Sequence, residues 1–199
     1  MLNNYIVNKY LNTRKLNLKF IKNKPFSYLV LEGFFKDNFI SDVTSELLNE
    51  KFVFQESDLF SFKQTNDLLL SKNDKIKEFY NLINSKEFKE YLFNITGIKA
   101  FGKIDSSCFI YSNGDYLLPH DDRLEKRKIA YVLNLSKNFT KLDCGSLDFF
   151  SANKIVKSIY PKFNTLTIFK VITGKTFHQV SEVLSDKKRI SIAGWFNDK

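Results

Sequence analysis

The stretch KIAYVLNLS, residues 128–136, decides the class of fold, because it is one of six similar segments in the second half of the 199-residue chain. The other five are SSCFIYS (106–112), GSLDFFSA (145–152), NTLTIFKVI (164–172), TFHQVSEVL (176–184) and RISIAGWF (189–196). Short apolar or alternating segments, rich in β-branched and aromatic residues and separated by polar links, are typical of an antiparallel sandwich or barrel. We therefore expect a jelly roll after about residue 100.

The first half of the chain shows helical periodicity instead. In KDNFISDVTSELLNE (36–50), Phe39, Val43 and Leu47 recur at helical spacing after Asp37, which we expect to be the N-cap. Two more apolar patterns follow at residues 76–83 and 88–95, with Ser85 placed to cap the second helix and Gly97 placed to end it.

Helices followed by strands predict an α+β fold. We expect a double-stranded β-helix (jelly roll) with N-terminal supporting helices, in which residues of about 1–100 give the helical support and residues of about 101–199 give the jelly-roll core. At this length the chain buries one substantial core, so residues 1–199 are predicted to form a single domain.

The chain is basic, with a net charge of +9 from 31 Lys and Arg against 22 Asp and Glu. Either a nucleotide bias of the genome or a polyanion-binding surface explains this excess, and the composition leaves both open. The first acid is Glu32, and six basic residues precede it: Lys9, Arg14, Lys15, Lys19, Lys22 and Lys24. A basic N-terminal arm that makes a weak contact with ribosomal RNA is therefore one hypothesis.

The cysteines and the hydropathy bear on the compartment. Cys108 and Cys144 have no CxxC spacing, which fits packing residues in a reducing compartment and neither a disulfide framework nor a zinc site. No apolar run approaches the roughly 20 residues that a membrane span needs. We expect a cytoplasmic or nuclear protein without a membrane partner.

The two histidines, His120 and His178, both lie in the predicted sheet. Two aspartates, Asp121 and Asp122, directly follow the first in YSNGDYLLPHDD (111–122). Non-haem iron(II) oxygenases need two imidazoles and one carboxylate on one face of an octahedron, with the opposite face left open. His120, His178 and one of the two aspartates are candidates for these ligands.

Arg189 lies on a predicted strand whose alternation places Arg189 and Ser191 on one face and Ile190 on the other. A guanidinium beside a serine hydroxyl fits recognition of a carboxylate, and an arginine at a barrel rim paired with a nearby acid is the alternative. Tyr111, nine residues before His120, is placed to donate to the same carboxylate or simply to pack in the sheet.

These motifs, together with PFSYLVLEGFF (25–35), DLFSFKQTNDL (58–68) and FHQVSEVLSDKKRISIAGWF (177–196), resemble a known family. It is the iron(II)- and 2-oxoglutarate-dependent prolyl hydroxylases that modify a small-subunit ribosomal protein. The similarity covers nearly the whole chain. It implies a dioxygenase that hydroxylates a prolyl residue at carbon 3, with Fe(II), 2-oxoglutarate and dioxygen as cofactors and ascorbate as a stimulating reductant.

The resemblance also assigns roles to residues. It implies iron ligands at His120, Asp122 and His178, and it implies that Arg189 binds the distal carboxylate of 2-oxoglutarate with Tyr111 and Ser191 assisting. The sequence departs from the family at Asn134, where an aromatic hydroxyl is common, and at Cys144, where a glycine is common. It also reaches only Lys199, whereas eukaryotic members usually continue into a second, non-catalytic β domain.

Three further expectations concern the carboxylate ligand, the segment 54–68 and the competing functions. On an extended segment, Asp122 shares a face with His120 and Asp121 points away, which favours Asp122 as the ligand. The segment 54–68 borders a substrate channel through Gln55, Gln64 and Asn66, or is a plain connecting loop. The competing functions are an oxidative nucleic acid demethylase with the same iron site and a non-catalytic binding module of the same fold.

Overall fold

The computed structural model describes residues 2–122, 124 and 126–198. The strands are β1 (Tyr28–Glu32), β2 (Val53–Ser57), β3 (Phe60–Gln64), β4 (Ile104–Tyr111), β5 (Tyr116–His120), β6 (Arg127–Asn134), β7 (Leu147–Ser151), β8 (Lys154–Ile159), β9 (Thr165–Lys170), β10 (His178–Val180) and β11 (Arg189–Asn197). They form one antiparallel sheet in the order β1-β9-β6-β11-β4-β3-β5-β10-β7-β8, with β2 paired to β3. The sheet curls into a half-barrel, and this jelly-roll arrangement confirms the predicted fold class.

Four α-helices precede β4. They are α1 (Thr13–Lys22), α2 (Asp37–Leu47), α3 (Asp74–Asn84) and α4 (Lys86–Thr96). The apolar patterns predicted for α3 and α4 are confirmed, since all eight of their periodic residues are buried. The predicted ends of α4 are also confirmed, because the Ser85 hydroxyl accepts a hydrogen bond from the Phe88 amide and Gly97 closes the helix in the left-handed conformation.

The predicted cap of α2 was wrong. Lys36 is the N-cap residue and makes no side-chain cap, whereas Asp37 lies in the first turn, where a negative charge favours the helix dipole. The Asp37 carboxylate accepts a hydrogen bond from Asn164 at 3.1 Å. This long-range bond competes with capping for the same carboxylate and ties α2 to the segment before β9.

The boundary at residue 100 also needs correction. Three strands from the first half, β1, β2 and β3, belong to the sheet, and β3 bridges β4 and β5. The segment 54–68, for which a plain loop was the alternative, is mostly the β2–β3 hairpin. Strand β2 carries no apolar face that would indicate a strand, because every one of its residues is exposed.

The helices pack against one face of the curled sheet, as the sequence predicted. The core between them contains Phe79 and Phe88 from the helices and Ile129, Leu133 and Ile192 from the strands. Alternate strand residues point the other way and line the concave interior, which holds a separate cluster of Phe26, Tyr28, Ala130, Leu147, Phe149 and Phe169.

The basic N-terminal segment is not a free arm. Asn12 caps α1, and the helix buries Leu16 and Phe20 in the same core as α4. The sequence missed this helix because only two of its residues face the core. Within the described residues, no helix has the length and apolar character that crossing a bilayer requires. Cys108 is buried in the helix-facing core, as expected for a packing residue.

Candidate metal centre and active site

His120, Asp122 and His178 meet at the concave face of the sheet. His120 ends β5, His178 begins β10, and the two residues are direct cross-strand partners with ring centroids 4.2 Å apart. The Asp122 carboxylate lies between them, with Oδ1 3.5 Å from Nε2 of His120 and Oδ2 3.4 Å from Nε2 of His178. Strand pairing therefore brings together two histidines that lie far apart in the sequence.

Both imidazole rings are oriented by backbone carbonyls. Nδ1 of His120 donates to Leu118 O and Nδ1 of His178 donates to Thr176 O, each at 2.9 Å. With each Nδ1 held by a carbonyl, each Nε2 points toward Asp122 and is the nitrogen that a metal would bind. Two imidazole rings and one carboxylate whose donor atoms lie close together fit the donor set of a non-haem iron(II) centre.

Asp122 is the predicted ligand, but the extended backbone predicted for it is wrong. Its backbone is not extended but left-handed, with φ of 57°, so the segment turns sharply after β5 instead of continuing as a strand. Asp121 is also buried, and its Oδ2 accepts a hydrogen bond of 2.7 Å from the Gly174 amide. The two aspartates thus have different partners. Asp122 faces the histidines, whereas Asp121 binds the turn that leads to His178.

The protonation states suit a metal ligand set. Burial raises the pKa of Asp122, but the hydrogen bond from His120 and the charges of both histidines outweigh it and lower the pKa to about 2. Burial, followed by the charge of His120, lowers the pKa of His178 to about 4. At neutral pH the carboxylate is therefore ionised and the His178 imidazole is neutral, as coordination requires.

Arg189 is a buried guanidinium with no carboxylate partner among the described residues. Its Nε donates to Gly145 O at 2.8 Å and its Nη1 donates to Ser191 Oγ at 3.1 Å. The arginine is 2% exposed, and burial lowers the pKa of its side chain. Within the part of the chain that the structure describes, the alternative of an arginine paired with an acid is not seen, and a buried guanidinium of this kind fits a bound anion.

Tyr111 faces Arg189 across the β4–β11 pair. The guanidinium carbon lies 5.0 Å from the centroid of the phenol ring. Burial raises the pKa of Tyr111 to about 12, with the Arg189 charge opposing the rise, so the hydroxyl stays protonated and can donate. Ser191 also retains its hydroxyl hydrogen, because it accepts from Arg189 and does not donate to it.

Gly145 supports Arg189 from the turn before β7. It has φ of 63°, and a Cβ atom at this position would lie 3.0 Å from Val183 Cγ2 and 3.2 Å from Arg189 Cδ. Both the conformation and the close approach favour glycine. Cys144, which precedes it, also has positive φ, at 56°. The departure from the family at Cys144 therefore falls in a tight turn that positions the carbonyl holding Arg189.

A cavity of about 450 Å³ connects these groups and is called the central cavity. All six predicted site residues line it: Tyr111, His120, Asp122, His178, Arg189 and Ser191. Gln64 lines it as well, whereas Gln55 lies on the exposed strand β2 and Asn66 is not part of its wall. Asn134 is also outside the wall, and its Oδ1 accepts from the Ser136 amide at 3.0 Å.

Two residues in the wall of the central cavity, Arg127 and Trp195, were not predicted from the sequence. The Arg127 guanidinium carbon stacks 3.3 Å from the Trp195 ring centroid, and its Nη1 lies 3.8 Å from Asp122 Oδ1. Arg127 Nε and Trp195 Nε1 are buried donors without a regular hydrogen-bond acceptor among the described residues, although the Trp195 side chain also helps to lower the pKa of Asp122. Trp195 lies in one of the strand motifs and Arg127 directly precedes another, but only tertiary contact makes them a pair.

The comparison with known families now decides the class of protein. Residues 106–197 match the 2OG-Fe(II) oxygenase superfamily, and this range contains the three candidate ligands and Arg189. The chain contains a 2OG-Fe(II) oxygenase domain. Proteins of this superfamily use Fe(II), 2-oxoglutarate and dioxygen, and the residues of the central cavity fit such a set of cofactors.

Relatives of this oxygenase domain include named prolyl hydroxylases. Prolyl 3-hydroxylase OGFOD1 of Xenopus laevis is 40% identical over 181 residues, which cover 87% of this chain and 35% of the relative. Prolyl 3,4-dihydroxylase OGFOD1 of Ostreococcus tauri is 34% identical over 198 residues, which cover 88% of this chain and 38% of the relative. The chain thus spans about a third of the length of these curated relatives.

Solved structures share the fold of the oxygenase domain. A prolyl-4-hydroxylase from Pseudomonas putida superposes with a TM-score of 0.74 at 15% identity, covering 92% of this chain and 99% of that protein. A Trichoplax adhaerens prolyl hydroxylase, in complex with a peptide fragment of the hypoxia inducible factor oxygen degradation domain, gives 0.74 at 17% identity, covering 94% and 90%. At these identities the likeness concerns the fold alone.

Proposed function

We propose that residues 1–199 form one catalytic domain of an iron(II)- and 2-oxoglutarate-dependent dioxygenase that hydroxylates a prolyl residue in a protein. The observation that carries the proposal is the convergence in the central cavity of a two-histidine, one-carboxylate set with a buried, unpaired arginine. A metal site alone fits many functions. A metal site beside a guanidinium prepared for a carboxylate fits a 2-oxoglutarate oxygenase.

His120, Asp122 and His178 would hold Fe(II). When bound, the iron and 2-oxoglutarate together supply the activation of dioxygen that hydroxylation requires. The protein contributes the ligand geometry, because strand pairing and two backbone carbonyls fix the imidazole rings before any metal binds. It also contributes an ionised Asp122 and a neutral His178 at neutral pH. Burial lowers the pKa of His120, but the neighbouring Asp122 outweighs burial and raises this pKa, so His120 would release its Nε2 proton when the metal binds.

Arg189 would bind the distal carboxylate of 2-oxoglutarate, with Ser191 and Tyr111 as additional donors. The bonds to Gly145 O and Ser191 Oγ hold the guanidinium in place, so the remaining N–H groups are fixed before the anion arrives. A carboxylate placed there neutralises a buried charge, which favours binding of a dianion over a neutral molecule of the same shape.

Arg127 and Trp195 fit a prolyl peptide as substrate. Proline has no backbone N–H and offers only a carbonyl acceptor, so a site that recognises a prolyl backbone must supply donors. The buried Arg127 Nε and Trp195 Nε1 are such donors, beside Asp122 at the candidate metal centre. We assign them to the carbonyl of the target residue, and we assign Gln64 to the neighbouring peptide group.

The finer assignment follows the relatives. The Xenopus laevis relative is named prolyl 3-hydroxylase and the Ostreococcus tauri relative prolyl 3,4-dihydroxylase, and both names support hydroxylation at carbon 3. The resemblance in motifs supports a small-subunit ribosomal protein as substrate, a weak contact of basic surface with ribosomal RNA, and a cytoplasmic or nuclear location. Ascorbate is proposed as the reductant that keeps the iron in its ferrous state.

Mass spectrometry of a candidate ribosomal peptide tests the proposal. After incubation with Fe(II), 2-oxoglutarate and ascorbate, we expect a gain of one oxygen on a proline and release of succinate. Both signals should vanish in His178→Ala and persist in Asp121→Asn. Succinate release without a modified peptide would keep the oxygenase and reject the substrate, and absence of both with correctly folded protein would reject the proposed activity.

A further inference from the structure

A second cavity, of about 1100 Å³, opens on the surface away from the metal centre and is called the lysine groove. Its wall comprises Lys9, Tyr10, Val30, Glu32, Ser136, Lys137, Asn138, Phe139, Thr140, Lys141, Lys157, Ser158, Ile159, Tyr160, Pro161, Lys162, Phe163 and Thr165. No described residue lines both this groove and the central cavity. The chemistry of the oxygenase domain therefore gives no reason for the composition of this groove.

The groove is strongly basic. Five exposed lysines line it, and the one carboxylate among its described wall residues is Glu32, which pairs with Lys162. These lysines come from three separate parts of the chain, near residues 9, 137–141 and 157–162, and the fold gathers them on one surface. Exposed ammonium groups gathered along a groove attract a polyanion more than a single small anion, because each contact is weak and the contacts add.

Aromatic rings alternate with these lysines. Lys9 lies over the Tyr10 ring at 4.8 Å, Lys137 over Phe163 at 4.9 Å and Lys141 over Tyr160 at 5.7 Å. Tyr160 is 38% exposed, so part of its side chain is accessible from the groove. Cations and accessible ring faces at neighbouring positions match the backbone and the bases of a single-stranded nucleic acid, because phosphates pair with ammonium groups and bases stack on rings.

Thr165 adds a polar group to the groove wall. It begins β9, is 3% exposed, and its hydroxyl has no hydrogen-bond partner among the described residues. A buried hydroxyl without a partner costs stability, so its presence calls for an explanation. A ligand that enters the groove and offers an acceptor, such as a phosphate or ribose oxygen, supplies the missing bond.

We propose that the lysine groove binds single-stranded RNA. The rings favour RNA over an acidic polypeptide, since carboxylate side chains have no aromatic ring to stack on Tyr160 or Phe163. The groove is separate from the metal centre, so the bound strand is a docking partner and not the molecule that is oxidised. This proposal does not depend on the hydroxylase function, because binding is measured without iron, 2-oxoglutarate or turnover.

The test is fluorescence anisotropy of the full chain with a labelled oligouridylate of about 12 nucleotides, in buffer with a metal chelator. The variant Lys137→Gln/Lys141→Gln/Lys157→Gln should lower affinity by about tenfold or more and reduce the slope of log affinity against log salt by about 2. The matched control Lys72→Gln/Lys86→Gln/Lys99→Gln removes the same charge from exposed positions outside the groove, and it should keep most of the affinity.

Two single substitutions keep the test informative if the triple variant folds poorly. Tyr160→Ala should weaken binding roughly fivefold or more whereas Tyr160→Phe should not, because only the alanine removes the ring face. Thr165→Val should weaken binding by a factor of roughly 2 to 10 without loss of thermal stability, because it removes a buried, unpartnered hydroxyl at nearly constant shape.

Three outcomes would overturn the proposal. Equal loss of affinity in the groove variant and the control variant would show that overall charge, and not this groove, attracts RNA. Binding of polyglutamate as tight as that of RNA, with the same sensitivity to Tyr160→Ala, would assign the groove to acidic protein segments. Absence of measurable RNA binding by the unmodified chain at low salt would leave the groove without this ligand.

Discussion

The central cavity and the lysine groove both present positive charge, but they present it in opposite ways. Arg189 is buried, its guanidinium is held by Gly145 O and Ser191 Oγ, and no acid among the described residues pairs with it. Lys137 and Lys141 are exposed and lie over aromatic rings. A buried, oriented cation selects one small anion of matching shape, whereas exposed lysines gather a long anion with little selection.

This difference assigns catalysis to the central cavity and docking of a partner to the lysine groove. Interactions in the central cavity are expected to respond weakly to salt, because solvent screens buried charges poorly. Interactions in the lysine groove are expected to respond strongly, because each phosphate contact releases counterions. Substitutions in one cavity should leave the other function unchanged, and the predictions below test that separation from the largest expected effect to the smallest.

The largest effect is expected at the metal centre. Asp122→Asn should abolish iron-dependent succinate formation, because it removes the one carboxylate that lies between the two histidines. Asp121→Asn should keep most of the activity, because an amide oxygen can still accept the bond from the Gly174 amide. Metal content measured on both purified variants, together with succinate release, checks the pair.

The reverse result would overturn the ligand assignment. If Asp121→Asn lost iron and Asp122→Asn retained it, the left-handed turn at Asp122 would not be the geometry that binds metal. RNA binding should be unchanged in both variants. A joint loss of iron and RNA binding would indicate general unfolding instead of a local effect, and far-UV circular dichroism separates these cases.

The next effect is expected at the candidate cosubstrate site. Arg189→Lys keeps a charge but cannot reproduce both oriented bonds of the guanidinium, so the KM for 2-oxoglutarate should rise roughly 10- to 150-fold. Ser191→Ala removes one hydroxyl and should raise the same KM only roughly 2- to 10-fold. Steady-state succinate measurements over a range of 2-oxoglutarate concentrations check both values, and an unchanged KM in Arg189→Lys would refute the assignment.

Whether a site residue could be predicted from the sequence depends on how the fold positions that residue. His120 and His178 were easy to choose because the chain has no other histidine, and Arg189 stood out because its strand alternation predicted an inward guanidinium. Asp122 was chosen for the wrong reason, since its φ of 57° breaks the extended geometry assumed for it. Composition and alternation identified these side chains, but they could not predict the left-handed turn that positions Asp122.

Arg127 and Trp195 show where sequence reasoning stops. The two residues lie far apart in the chain, and their stacking arises only because β6 pairs with β11. The fold shows the same limit. The periodic faces of α3 and α4 were predicted because those helices bury a full apolar stripe, whereas the hairpin of β2 and β3 was missed because one of its strands is fully exposed.

A smaller effect is expected at the turn that supports Arg189. Gly145→Ala should lower the free energy of unfolding by about 1–3 kcal/mol, because the residue has positive φ and the new Cβ would press against Val183 and Arg189. Gly114→Ala is the matched control, since Gly114 also has positive φ, at 86°, but nothing lies within 4 Å of its added Cβ. Denaturant unfolding of both variants separates backbone strain from the contact.

The affinity for 2-oxoglutarate gives this pair a second readout. Gly145→Ala should also weaken 2-oxoglutarate binding, because the contact displaces the Arg189 side chain, whereas Gly114→Ala should not. Equal destabilisation in both variants with unchanged 2-oxoglutarate affinity would mean that Gly145 serves only its backbone conformation and does not position Arg189.

The smallest effect is expected at the edge of the central cavity, where the sequence analysis treated Gln64 and Asn66 alike. Gln64 lines the cavity and Asn66 does not, so Gln64→Ala should raise the KM for the peptide substrate roughly threefold to tenfold, the cost of about one hydrogen bond. Asn66→Ala should leave that KM unchanged, and neither variant should alter the KM for 2-oxoglutarate. Equal effects of the two substitutions on peptide turnover would show that the whole β3 end, and not one side chain, contacts the substrate.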